Sequence, residues 1–116
     1  MKTASFFEYD GPGRVSIARF APRPIPAGYR VYRALAPGPW FKSVSEDEYR
    51  RRYDAQLAAL DPREVFDALT ALGGDTEPTL LCWERKADLE AGQAFCHRRI
   101  VATWLEKALG VTIDER

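Results

Sequence analysis

Residues 78–115, PTLLCWERKADLEAGQAFCHRRIVATWLEKALGVTIDE, set the architecture of this chain. The apolar run 78–84 is bounded by Pro78 and by the charged pair Arg85-Lys86, and a run of that length reads as a buried strand. From about Gly92 to Ala108 the spacing predicts a helix, with His97, Ile100, Val101, Trp104, Leu105 and Ala108 on one face and Gly110 as its stop. A last short strand follows at 111–114. Strand, helix and strand with short connections form a parallel unit with a right-handed crossover.

Upstream, residues 43–74 predict two capped helices. Ser45 and Glu48 make a capping box ahead of Tyr49, Tyr53, Leu57 and Leu60 at helical spacing. Asp61 caps the second helix, with Pro62 at its first position, Val65, Phe66, Leu69 and Leu72 as its apolar stripe, and Gly73-Gly74 at its end. Residues 14–42 read as a strand and a proline-rich connection. Val15 and Ile17 alternate with polar neighbours in a strand at 14–19. The stretch 28–35 suggests another, with Tyr29, Val31 and Ala34 facing inward. Pro22, Pro24, Pro26, Pro37 and Pro39 interrupt any continuous element. Residues 1–13 carry no periodic signal and read as loosely ordered. The sum is an α/β fold, a single-domain layered α/β/α arrangement over 1–116, with strands at 14–19, 79–83 and 111–114 in a small, mostly parallel central sheet.

The 116 residues are 46% hydrophobic and 29% charged, which fits one globular domain and excludes a disordered chain. No apolar run reaches the length of a membrane span, and the N-terminus lacks a signal-peptide core, so the expectation is a cytoplasmic protein with no membrane partner. Two cysteines do not make a disulfide framework. Net charge is zero, yet residues 1–42 hold seven Lys/Arg against two acids, and residues 43–116 hold ten against fifteen. The basic part permits an anionic partner. Equally, its arginines have later acids to pair with. Nucleic acid is weakly supported, because a strongly basic domain is missing.

Cys82 and Glu84 stand at the carboxyl end of the predicted strand, and Cys96, His97, Arg98 and Arg99 open the next helix. Open α/β sheets bind ligands outside the carboxyl ends of their strands, near helix N-termini. A loop from Arg85 to Phe95 is long enough to bring the two groups around one cleft.

The pair Leu80-Leu81-Cys82-Trp83-Glu84 and Cys96-His97-Arg98, followed by Ala102-Thr103-Trp104-Leu105, resembles the family called domain of unknown function 488. "ALAPGPWFK" at 34–42 and the Tyr-rich helix at 48–57 are similar to further segments of that family, so the resemblance spans roughly residues 14–113. It implies an α/β/α layered fold and a polar pocket. It implies no reaction.

Each cluster residue has two readings. Cys96 is a thiol at a helix N-terminus beside Arg98 and Arg99, a setting in which thiolates form with pKa values of about 3.5–7.5; it is equally a small buried apolar residue. Cys82 divides the same way and pairs with Cys96 if their Cα atoms approach within about 7 Å. His97 is a catalytic base, or a hydrogen-bonded core side chain. Glu84 is a general base, or the partner that holds an arginine over the cleft. Arg98, Arg99 and, from the first strand, Arg19 hold an anion, or face solvent. Trp40-Phe41-Lys42 stacks on a base, or folds back as a lid. The residues expected to act in catalysis are therefore Cys96, His97 and Glu84, with Arg98, Arg99, Cys82 and Arg19 binding an anionic, nucleotide-like small molecule. A structural tie between helix and sheet is the alternative. No cofactor is predicted, and no metal, since Cys-x13-Cys-His is not a zinc spacing.

Overall fold

The computed structural model describes residues 1–92 and 94–116. Along it run β1 (Lys2–Ser5), β2 (Arg14–Ser16), β3 (Arg30–Val31), 3-10 turns at Arg33–Leu35 and Pro39–Lys42, α1 (Glu46–Ala58) and α2 (Pro62–Gly73). Then come β4 (Thr79–Cys82), α3 (Lys86–Glu90), α4 (His97–Leu109) and β5 (Asp114–Glu115). The strands form one sheet in the order β3-β2-β4-β1-β5, and every pair is parallel. This is the α/β class and the parallel sheet that the repeated strand–helix pattern predicts.

β4 is an unbroken apolar run because nothing around it is solvent. β2 and β1 flank it, and all four of its residues are buried. Leu80 points into the main core, with Val15, Ile17, Tyr53, Leu57, Leu69, Val101 and Leu105. Leu81 faces the other side, with Ala4, Phe6 and Ala18 and the irregular chain at Tyr9, Ala21 and Ile25. α4 packs on β1, β4, α1 and α2. The capped helices begin where their signals stand. The Ser45 hydroxyl accepts from Glu48 N at 3.2 Å, and the Asp61 carboxylate from Arg63 N and Glu64 N at 2.8 and 3.2 Å.

Several local expectations need correcting. Residues 1–13 are not a loose tail, because Lys2–Ser5 is a strand between β4 and β5. Thr3, Ala4 and Ser5 are buried, and their small size lets α4 close on the strand. α4 starts at His97 rather than Gly92. Lys86–Glu90 form the separate short helix α3, and Gly92, at φ 72°, lies just beyond its end. The suggested strand at 28–35 keeps only Arg30–Val31, and Val31 and Ala34 point outward while Leu35 is buried. Past that edge strand the chain is held by α1: Tyr53 Oη donates to Leu35 O at 2.6 Å, and Gln56 Nε2 to Ala36 O at 2.7 Å. The strand expected at 14–19 is three residues long, and that at 111–114 moves to Asp114–Glu115. Arg14 and Arg19 do not pair with the later acids; they donate to carbonyls of Pro26, Ala27 and Pro37. Among the described residues no helix is long and apolar enough to cross a membrane.

Candidate functional site

Parallel pairing puts the carboxyl ends of β2 and β4 side by side, and the chain keeps them joined beyond the strands. Ile17 N donates to Leu81 O at 3.1 Å, and the Trp83 indole N–H to Phe20 O at 2.7 Å. Above these ends lies a pocket of about 390 Å³. Ala18, Arg19 and Phe20 come from β2's end, Cys82, Trp83 and Glu84 from β4's end, and Phe95, Cys96 and His97 from the start of α4. Pro37, Phe41 and Lys42 close one side and Tyr49 of α1 another. The strand end and helix start singled out in the sequence therefore meet.

His97 is buried, and its Nε2 lies 2.7 Å from Ile17 O. A carbonyl only accepts, so Nε2 carries the proton and Nδ1 presents a lone pair. Nδ1 faces Cys96 Sγ at 3.8 Å, closer than adjacent residues on a helix normally come, because Cys96 is the extended N-cap residue and not part of the helix. Burial lowers the His97 pKa to about 4, against the Ile17 hydrogen bond that raises it, so the ring is neutral near pH 7. Cys82 and Cys96 are both buried and are joined as a disulfide, with Cα atoms 7.2 Å apart. Cys82 Sγ, Cys96 Sγ and a His97 ring nitrogen all lie within 4.8 Å of one another. The sequence spacing concealed this set, since thirteen residues separate two cysteines that the fold brings together.

Glu84 is half-buried, with Oε2 3.7 Å from Cys82 Sγ. Burial raises its pKa above the ordinary glutamate value, more than the nearby Arg98 lowers it. Tyr49, buried beside it, has its hydroxyl pKa pushed far up by burial and then by the Glu84 charge.

The arginines divide. Arg19 lines the pocket as expected, with Nη1 3.3 Å from Pro37 O. Arg98 does not line it. Its side chain is fully buried behind Cys82, where Nη1 donates to Glu84 O at 2.6 Å and to Cys82 Sγ at 3.3 Å, and Nε lies 3.4 Å from Glu115 Oε2. Arg99 turns away and forms a two-pronged pair with Glu115 at 2.7 and 2.9 Å. Neither is the anion holder on the open side; the cations there are Arg19 and Lys42.

Tyr49, Phe41, Lys42, Phe20 and Phe95 were not read as one wall. The Trp40-Phe41-Lys42 segment folds back on the core, one of the two readings given for it. Trp40 packs edge-on against Tyr49 with ring centroids 5.1 Å apart, while Phe41 and Lys42 face the pocket. Phe95, standing directly before the Cys96-His97 pair, was the one sequence signal available for the remainder.

The family model described as "Active DUF488-N3 subclade", DUF488-N3a, matches residues 7–109. The chain belongs to this family. No curated protein and no solved structure matches it.

Proposed function

We propose that the pocket binds a mononucleotide or a close chemical relative, with the flat ring between aromatic walls and the anionic group toward Arg19 and Lys42. The supporting observation is the lining itself. Phe20, Phe41, Tyr49, Trp83 and Phe95 supply apolar faces, Arg19 and Lys42 supply cations on one side, and Glu84 supplies a polar partner below. The volume of about 390 Å³ lies within the range of small-molecule sites and admits one nucleotide rather than a strand. Ring stacking contributes about 1–3 kcal/mol per base, and a cation on a phosphate adds a charge-assisted hydrogen bond.

The test is a titration of the four ribonucleoside monophosphates at low salt, followed by tryptophan quenching. Trp83 is on the pocket wall and 46% exposed, so Trp83→Phe should remove most of the signal. Saturable quenching is expected, with Arg19→Ala and Lys42→Ala each weakening affinity about fivefold, near 1 kcal/mol. If none of the four saturates the signal, the reading fails. Binding to oligonucleotides alone, falling steeply with salt, would instead favour a nucleic-acid surface on the basic N-terminal part.

A further inference from the structure

At the floor of the pocket, the two cysteine sulfurs, joined as a disulfide, and an imidazole converge on one point. His97 donates its Nε2 proton to Ile17 O at 2.7 Å, which fixes the tautomer that leaves Nδ1 free. Metal-binding histidines are held in this way by a carbonyl behind the ring. Arg98, fully buried, places Nη1 3.3 Å from Cys82 Sγ, so a cation stands behind that sulfur. Cys96 caps α4 and uses no side-chain hydrogen bond to the helix to do so.

The structure joins these sulfurs as a disulfide, and reduction would free them for a metal ion. The Cα atoms of Cys82 and Cys96 are 7.2 Å apart. Disulfides normally span about 4.4–6.8 Å between Cα atoms, and beyond about 7 Å the backbone must move. Two thiolates on one zinc ion, at Zn–S distances of about 2.3 Å, stand roughly 3.8 Å apart at sulfur and suit a wider frame.

We propose that, once a thiol reductant has opened the disulfide and released both sulfurs as thiolates, Cys82, Cys96 and His97 Nδ1 form a zinc site with one open coordination position toward the pocket. Two thiolates and an imidazole are the soft, tetrahedral donor set that zinc takes, and three protein ligands with an open fourth position is the arrangement of zinc ions that bind or activate something else. All three residues line the pocket, so the free position lies where a small molecule enters. Glu84, with Oε2 3.7 Å from Cys82 Sγ, stands beside the ion without belonging to the set of three. The two thiolates balance the charge of the ion, which suits a buried place.

The experiment uses the full chain, reduced and stripped with a chelator, then titrated with cobalt(II) and afterwards with zinc. One equivalent of cobalt should produce the intense visible bands of a four-coordinate ion together with thiolate-to-cobalt charge transfer, and one equivalent of zinc should erase them. Cys82→Ser and Cys96→Ser should each abolish the spectrum at one equivalent, with circular dichroism confirming that the variants are folded. If a variant does not fold, the wild-type spectrum still decides. A reduced, folded wild-type chain that gives no such bands overturns the proposal. So does a chain that, supplied with zinc, is isolated metal-free and lighter by two hydrogens, as a disulfide would make it. Because metal retention is read with no nucleotide present, its failure and that of nucleotide binding are told apart.

Discussion

Arg98 reaches from α4 to the Glu84 carbonyl, the Cys82 sulfur and the Glu115 carboxylate, joining the end of β4 to β5 through one guanidinium. Among the described residues its Nε and Nη2 have no hydrogen-bond partner, so this charge is held in the interior by few contacts. Removing it strands a buried carbonyl and part of a carboxylate's pairing, which costs about 3 kcal/mol. Arg98→Ala should lower the free energy of unfolding by that amount in urea, while Arg99→Ala, losing an exposed pair, should cost under about 1 kcal/mol. A pH effect belongs to the same cluster. The Arg99 hydrogen bond, with Arg98 and Lys86 nearby, holds the Glu115 carboxyl below its usual 4.5. The unfolded chain therefore takes up that proton first as pH falls, and stability is lost from about 4.5 downward through the folded pKa. Glu115→Gln should flatten the acid limb of a stability–pH curve. The positions of Cys82, Glu84, Cys96 and His97 were legible in sequence because topology alone brings a strand end beneath a helix start. The direction of Arg98 was not. Periodicity assigned it to a polar face, whereas the side chain runs inward to the end of β4 and to β5.

The helices were readable because their ends carry their own chemistry. Asp61→Ala should cost about 1 kcal/mol in urea denaturation, since two backbone donors of α2 lose their acceptor. Strands lack such marks when they are short and their side chains small. Lys2–Ser5 shows neither alternation nor bulk, yet its last three residues are buried. α3 was missed for a related reason: at five residues it is too short for a period to declare itself. Gly13 illustrates a demand that only assembly reveals. Its φ is 78°, a Cβ there would strike the Glu77 carbonyl, and its own carbonyl accepts from Thr79 N at 2.8 Å. Gly110 also has positive φ, 67°, but a Cβ there meets nothing. Both glycine-to-alanine changes should destabilise, Gly110→Ala by about 1 kcal/mol and Gly13→Ala by more, because the second adds a clash at the root of the β2–β4 pairing. Comparing their urea midpoints checks the order.

Across the whole molecule, the sheet is assembled from distant parts of the chain. β1, from the N-terminus, lies between β4 and β5, and β2 lies on the other side of β4. Deleting residues 2–5 should therefore unfold the domain rather than trim it, leaving no cooperative transition by far-ultraviolet circular dichroism. A chain that unfolds cooperatively without those residues would mean the sheet closes without its inner strand. The pocket draws on the same assembly, taking walls from β2, β4, α1, α4 and the turn at Pro39–Lys42. No single segment contains it, which is why its aromatic wall escaped a reading made segment by segment. The place of β1 also has a consequence in time. Its partners are residues 79–82 and 114–115, so a nascent chain emerging from the ribosome holds an unpaired inner strand until those two segments have been made. Such pairings close long loops and form late. The native sheet should therefore appear only after β4 and β5 have both been made.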